Sequence, residues 1–543
     1  MKERAATELP LGEHPLSERC RHYEQQLHEQ ANQLAELTAL LAAQREEIQR
    51  LQDTIAILKG EKGRPPIKPS RLESGKTDAA PEGRETDSKQ KRAGSAKRAK
   101  TLHLKIEKTE IMPAEQVPAG AVFKGYQDYV IQELEVRVST TRYRCERWQT
   151  PDGGYVVGRV PAAVQGSHFG PTLRSYILYQ YYHQHVTQPL IVDYLQEVGV
   201  DISVGQVNRI LTENKAVFHA EKEAILRTGL AVSRYVNVED TEARHQGKNG
   251  YGTHIGNEFF AWFASTESKS RVNFLHLLRA GHTDYVLNEV ARDYMTRQKL
   301  PTAQLQLLVG EQTFAEQAHW EAYLAAIGLT TARHVQVATE GALLGSVLSH
   351  EIAPDLVILS DDAGQFNVLR HALCWVHAER TIHKLLPFSA AQREAVETVR
   401  GQIWELYQDL KAYQQAPSPP QKRQLARRFE TIFTAKTCFQ TLNLALKRLH
   451  QNKAELLLVL DRPEVPLHNN GSEREIREYV KTRKISASTR SELGRSARDT
   501  FLSLKKTCRK VGLSFWAYLQ DRLTRAQQIP PLPQLIRAAA QSP

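Results

Sequence analysis

Val236-Asn-Val-Glu-Asp240 and Leu356-Val-Ile-Leu-Ser-Asp-Asp362 are two apolar, β-branched runs that each close on a pair of acids. Such runs read as strands. The first belongs to a run over 232–240, and similar runs follow at 251–264 and 272–278, with Arg244-His-Gln-Gly-Lys-Asn-Gly250 as the first loop. That pattern predicts a three-strand meander. Helical periodicity comes next, at roughly 283–297 and 314–328, before a buried strand at 356–360. Residues 388–460 are helical in pattern almost throughout, broken at Pro417-Ser-Pro-Pro420.

Three antiparallel strands followed by strands alternating with helices place the chain in the α/β class. The expected architecture is a ribonuclease-H-like core with an all-α insertion, preceded by a coiled coil, a small β module and a helix-turn-helix. In such a core the first strand is central and 356–360 lies beside it, so the acids at their ends meet. A third acid follows the insertion, in Val465-Pro-Leu-His-Asn-Asn-Gly-Ser-Glu-Arg-Glu-Ile-Arg477. There Asn469, Asn470 and Gly471 read as a turn, and Ser472 as the cap of a helix that Glu473 opens. Each acid alone is an ordinary strand-end or cap carboxylate. In order, Asp240 (or Glu239), Asp361 and Glu473 make a cradle for divalent metal, and two or three carboxylates suffice for magnesium. Two such ions, magnesium or manganese, suit phosphodiester chemistry. Arg474, Arg477, Arg483 and Lys484 beside the third acid are the expected phosphate contacts.

The 543 residues carry 72 lysines and arginines against 61 acids, a net +11 that favours an acidic partner such as double-stranded DNA. Five cysteines without paired spacing argue against a disulfide framework and for a reducing, cytoplasmic setting. No stretch is apolar for long enough to span a membrane, so no membrane partner is expected.

Residues 16–59 carry heptads, with Cys20, Leu27, Leu34, Leu41, Ile48 and Ile55 in the a series and Tyr23, Gln30, Leu37, Gln44, Leu51 and Leu58 in the d series. This predicts a coiled coil that makes the chain a homo-oligomer. Residues 60–100 turn to Gly, Pro, Ser and charge, the composition of a disordered basic linker. Short alternating runs over 101–165 predict a small β module. Its Cys145 has no CxxC partner, because Trp148 stands in that place, so zinc is excluded there. Within 166–228, Pro189-Leu-Ile-Val-Asp-Tyr-Leu195, Gly199 and Ile202-Ser-Val-Gly-Gln-Val-Asn-Arg-Ile-Leu211 fit a helix-turn-helix with a Ser203…Gln206 capping box. Gln206, Asn208 and Arg209 are then the candidates to face a DNA groove. The catalytic domain is expected over 229–487, with 488–543 as a helical tail.

The chain resembles the insertion-sequence-66 group of bacterial transposases. The resemblance rests on Asp240-Thr241 with Ala243-Arg-His-Gln-Gly-Lys-Asn-Gly-Tyr251, Gly256-Asn257, Ser268-Lys-Ser-Arg271, Ser360-Asp-Asp-Ala-Gly-Gln-Phe366, Cys374-Trp-Val-His377, the Asn469–Arg477 stretch, Arg483-Lys484 and Tyr518-Leu519. It implies a DDE catalytic domain, DNA cleavage and strand transfer at element ends and target, and accessory proteins in a bacterial, nucleoid-associated setting. The first triplet departs from the family's usual aspartate-acid-threonine, reading Glu239-Asp240-Thr241, and Glu242 stands where glycine is common. The first ligand is therefore Asp240 or Glu239, or the copy is impaired and acts only as a DNA-binding relative. A nuclease of the same fold is the remaining alternative. The Cys374/His377 pair is too small for a metal site and reads as packing and positioning near Asp361.

Overall fold

The computed structural model describes residues 104–350, 352–353 and 355–541. The expected coiled coil at 16–59 and linker at 60–100 lie outside them. The chain divides into two units at Gln132/Glu133. In the first, residues 104–132 form no helix or strand, and a turn closes with Ala121 N–H donating to the Pro118 carbonyl at 3.2 Å. In the second, a short hairpin joins β1 (Arg147–Gln149) to β2 (Tyr155–Val157). The β module expected over 101–165 is thus one hairpin among the described residues. Its other apolar residues, including Tyr129, Leu134 and Val136, are exposed, and without a layer to bury against a strand has little to stabilise it.

Four helices follow: α1 (Pro171–Tyr182), α2 (Gln188–Glu197), α3 (Val204–Thr212) and α4 (Ala216–Val232). Gly199, at φ +89°, turns the chain between α2 and α3, a conformation that glycine adopts without penalty. The capping box at Ser203 and Gln206 forms and starts α3.

The five-stranded sheet contains β3 (Tyr235–Glu242), β4 (Tyr251–Gly256), β5 (Ala261–Thr266), β8 (Val357–Ser360) and β9 (Arg370–Leu373), in the order β5-β4-β3-β8-β9. β4 is antiparallel to β3 and β5, while β8 is parallel to β3 and β9. All four residues of β8 are buried, as an internal parallel strand requires. The meander has its three strands, but they divide differently from the sequence reading. Asn257 closes a tight turn inside the expected second strand, its side chain accepting from Phe259 N–H at 2.9 Å. The expected third strand is instead helix α5 (Arg271–Leu278), because the Ser270 side chain caps it by accepting from Asn273 N–H.

Between α5 and β8 the chain forms β6 (Tyr285–Leu287), α6 (Glu289–Arg297), β7 (Gln312–Phe314), α7 (Gln317–Ala326) and α8 (Ala332–Ser349). The segment after β9 is helical, with α9 (Trp375–His383), α10 (Ala390–Gln415), α11 (Pro419–Phe433) and α12 (Gln440–Gln451). It has its own core around Trp375, Ile403, Phe429 and Leu446, apart from the main core that joins α1–α4 to one face of the sheet.

The chain returns through α13 (Asn470–Ser486) and α14 (Glu492–Lys510), then α15 (Phe515–Thr524) and α16 (Leu532–Gln541). α14 was expected in a tail, yet it packs on β5: Ser503 and Thr507 accept from the backbone N–H of Phe263 and Ala261 at 2.9 and 3.2 Å. Those bonds satisfy strand-edge donors that would otherwise be orphaned. Among the described residues, no helix is long and apolar enough to cross a membrane.

Candidate active site

Three elements converge where the acids of the sequence lie. β3 carries Glu239 and Asp240 in its second half, and successive residues of a strand face opposite sides. The register sets Glu239 against His254 and Asp240 against Thr253 of β4. Asp240 is fully engaged: Thr253 donates to one carboxylate oxygen at 2.5 Å and Gln365 to the other at 3.0 Å. Burial pushes its carboxyl up, opposed by these two bonds and by Lys269.

Glu239 shares its face with a different set. Its carboxyl is pushed up to about 8 by burial, then by the charges of Asp361 and Glu473, with Asp240 a smaller contributor. One bond opposes the shift, from the Asn469 side-chain amide to Glu239 Oε2 at 2.9 Å. Carboxylates at the end of β8 and the start of α13 thus lie close enough to Glu239 of β3 for their charges to act on it. Asp361 is held by its own turn, accepting from Ala363 N–H at 3.1 Å. Arg271, in the Ser268–Arg271 motif, braces that turn by donating to the Gly364 carbonyl at 2.6 Å.

Glu473 stands in the first turn of α13, where the helix dipole favours a carboxylate. The helix begins earlier than expected. Asn469 occupies the cap position, while Ser472 lies inside the first turn with its hydroxyl on the His254 ring. Glu473 Oε1 is buried without a hydrogen-bond partner, and the nearest cation-capable group is His377 Nε2 at 3.6 Å. Burial keeps His377 below its usual pKa, aided by the Arg380 and Lys384 charges and opposed by Asp361 and Glu473.

Asn469 is the residue the sequence undersold. It is fully buried; its amide also donates to the Val238 carbonyl at 2.8 Å, and its carbonyl accepts from Asn237 at 2.9 Å. Its backbone N–H points at Cys374 Sγ, 3.2 Å away, so Cys374 positions the turn as expected of a packing residue. An Asn-Asn-Gly stretch carries no signal for this role, since it also reads as an exposed turn.

The basic candidates form a stripe. Arg474, Arg477, Lys481 and Lys484 are exposed along one face of α13, and Lys481 is an addition to the sequence set. Arg483 instead turns inward and donates to the Glu242 carbonyl. On α3, Asn208 and Arg209 are exposed, whereas Gln206 spends its side-chain oxygen on the Ser203 N–H at 2.7 Å. A separate set, His282, Asp284 and His350, has donor atoms within 4.8 Å of one another. The two rings there are stacked, 3.5 Å apart and within 7° of parallel, so their lone pairs do not converge on one point.

Comparison with known proteins matches residues 357–497 to the family described as "Transposase IS66 family". That span contains Asp361, the helical insertion, Asn469 and Glu473, and begins after β3. Over 321 residues the chain is 44% identical to a protein of Sinorhizobium fredii (strain NBRC 101917 / NGR234) called "Uncharacterized protein y4jO". The aligned part is 58% of this chain and the whole of that relative.

Proposed function

The chain belongs to the IS66 transposase family, and from that premise we propose that it binds the ends of an insertion element and cuts and joins DNA there. The observation that carries the reading is the action of Asp361 and Glu473 on buried Glu239, with a buried Glu473 oxygen that has no hydrogen-bond partner. Burial and two neighbouring acids disfavour the charged form of Glu239, and a bound cation would offset that cost. Hard oxygen donors on a half-exposed rim fit magnesium, which keeps several waters. We assign Glu239, Asp361 and Glu473 as the residues that would hold it, Glu239 in place of Asp240. Bound there, such ions activate a water or 3′-hydroxyl and offset charge on the leaving oxygen.

The protein's own groups prepare that chemistry. Asn469 fixes the Glu239 carboxylate, the Ala363 N–H fixes Asp361, and the first turn of α13 aims Glu473. The stripe Arg474, Arg477, Lys481 and Lys484 would bind the DNA backbone without reading sequence. Strand order, with the first strand central, supports a ribonuclease-H-like core. α2 and α3 would serve as a helix-turn-helix, with Asn208 and Arg209 toward the groove. The heptads at 16–59 would pair protomers so that two ends are held together. A second reading, a relative that binds DNA but has lost catalysis, draws on Glu239 itself, one methylene longer than the family's usual aspartate.

Incubating the full chain with magnesium and labelled DNA carrying the element's ends tests this. Cleaved and joined products are expected, and Asp361→Asn and Glu473→Gln should each abolish them while leaving binding intact. End binding without any product from the unaltered chain would select the impaired reading. Full activity in Glu473→Gln would remove the mechanism.

A further inference from the structure

Beside Asp361 lies a cleft of about 440 Å³ that the three carboxylates do not fill. Its floor is the Asp361–Asp362 turn, one wall is α9 with Arg380 and Lys384, and the other is α12 of the insertion with Arg448. The size is that of a ligand site rather than a packing defect. Arg380 and Lys384 are exposed, and neither makes an ion pair among the described residues. Arg448 is paired with Asp362 at 2.7 Å, and Asn452 adds a longer contact to the same carboxylate at 3.4 Å.

That pair is weakly held. The side chains are 65% and 42% exposed, and solvent screens such a bridge. Asp362 also sits at φ +86°, a conformation that aspartate tolerates but does not favour. The turn sends Asp361 into the recess and Asp362 out to the insertion helix. The cleft thus sets three cations against the carboxylates of Asp361 and Asp362, and the third cation has an exchangeable partner. A planar guanidinium and two further cations match a phosphodiester, which offers several acceptor oxygens at once.

We propose that this cleft seats a DNA backbone phosphate next to the one being cut, with Arg448 moving from Asp362 onto that phosphate. The inference rests on the strand-transfer reading above and gives the helical insertion a role in it: α12 clamps the strand beside Asp361. Arg380 and Lys384 hold the same phosphate from α9. The pairing in the DNA-free protein keeps Arg448 pointed at the cleft, so little reorientation is needed when DNA arrives.

The test uses the full chain and a short duplex ending in the element's terminus, recovered from the DNA that flanks the gene. Single phosphates are replaced one at a time by neutral methylphosphonate, and binding is measured in calcium. One position beside the scissile phosphate should lower affinity on the order of tenfold, the worth of a charge-assisted hydrogen bond. Arg448→Ala should lose about as much on the unmodified duplex and nothing further on the modified one. Lys384→Ala should weaken binding in the same pattern, and Asp362→Asn, which frees Arg448, should tighten it. These side chains are exposed, so the variants should melt like the unaltered chain. Arg448→Ala binding as tightly as the unaltered chain would overturn the proposal, as would losses from Arg448→Ala and the modified phosphate that simply add. Failure of the unaltered chain to bind ends would instead remove the transposition reading, and this inference with it.

Discussion

Asn469 donates its side-chain amide to the Glu239 carboxylate across 2.9 Å, joining the end of β3 to the cap of α13. The same side chain bonds Asn237 and the Val238 carbonyl, so one buried residue fixes the spacing between the first and third acids. The proposed metal-binding acids are therefore positioned by a polar network as well as by sheet register.

Asn469→Ala should show what that network is worth. It leaves the Val238 carbonyl and the Asn237 amide buried without partners, at a cost of about 1–3 kcal/mol each before relaxation. Calorimetry should record a fall in Tm of several degrees. Strand transfer should fall further than stability does, because Glu239 loses its anchor. A variant with normal Tm and normal activity would remove Asn469 from the site.

Gly252 tests the seat of α13. A Cβ there would lie 2.5 Å from the Tyr479 ring, which is almost wholly buried between β4 and the Arg498 side chain. Gly252→Ala should cost about 1–3 kcal/mol through overpacking. Because Tyr479 and Glu473 share α13, activity should fall with it, and Tyr479→Leu in the same chain should restore part of both. Stability unchanged by Gly252→Ala would mean the helix shifts freely.

What the sequence made legible follows from how local each signal is. The β8 run ending at Asp361 was readable because a strand buried on both faces must be continuously apolar. Glu473 was readable from its neighbours, but the choice between Glu239 and Asp240 was not, since it depends on which face of β3 meets α13. The α5 boundary was missed because Val272, Phe274, Leu275 and Leu278 suit a strand, and the deciding cap is one serine. β9 went unseen, its Arg370-His-Ala-Leu373 being short and half polar. Arg448 carried no signal at all, because only folding brings α12 to Asp362.

Acid should expose the bond between α13 and its neighbours. Glu478 is held well below the usual carboxylate range by His185, and after it by Lys505, against the opposing effect of burial. Its Oε1 lies 2.7 Å from His185 Nε2 and 2.6 Å from Lys505 Nζ. A carboxyl depressed on folding stabilises fully above its unfolded value, near 4.5, and that stabilisation is lost as pH falls below it. Melting curves should therefore decline more steeply below that pH for the unaltered chain than for Glu478→Gln, which should already be less stable at neutral pH. Parallel declines would show that Glu478 does not report on acid unfolding.

The α13 stripe predicts a salt effect. If Arg474, Arg477, Lys481 and Lys484 touch phosphates, each alanine substitution should weaken binding to specific and random DNA alike. It should also lower the slope of log affinity against log salt by about 1 per residue. Lys481 is the informative one, since its inclusion comes from helix geometry. An unchanged slope for Lys481→Ala would place the DNA elsewhere.

The two acids of β3 give the sharpest comparison. Asp240 has both oxygens bonded by Thr253 and Gln365, whereas Glu239 has one bond from Asn469 and is pushed up by burial and then by the Asp361 and Glu473 charges. If Glu239 is a ligand, Glu239→Gln removes charge that an ion needs, and strand transfer should fall on the order of a thousandfold, several kcal/mol of lost transition-state stabilisation. Asp240→Asn keeps the size of the side chain and one acceptor, so activity should stay within about tenfold, with a loss of up to ~2 kcal/mol in stability. Magnesium binding, followed by protection against thermal unfolding, should vanish in Glu239→Gln and persist in Asp240→Asn. This second readout separates a ligand from a residue that merely holds the strand in place. The opposite pattern in both assays would return the first ligand to Asp240 and require β3 to rotate when metal binds. Glu239→Asp decides whether the extra methylene matters: higher activity than the unaltered chain would mean that the glutamate has compromised this copy, and lower activity that the recess is built for its reach.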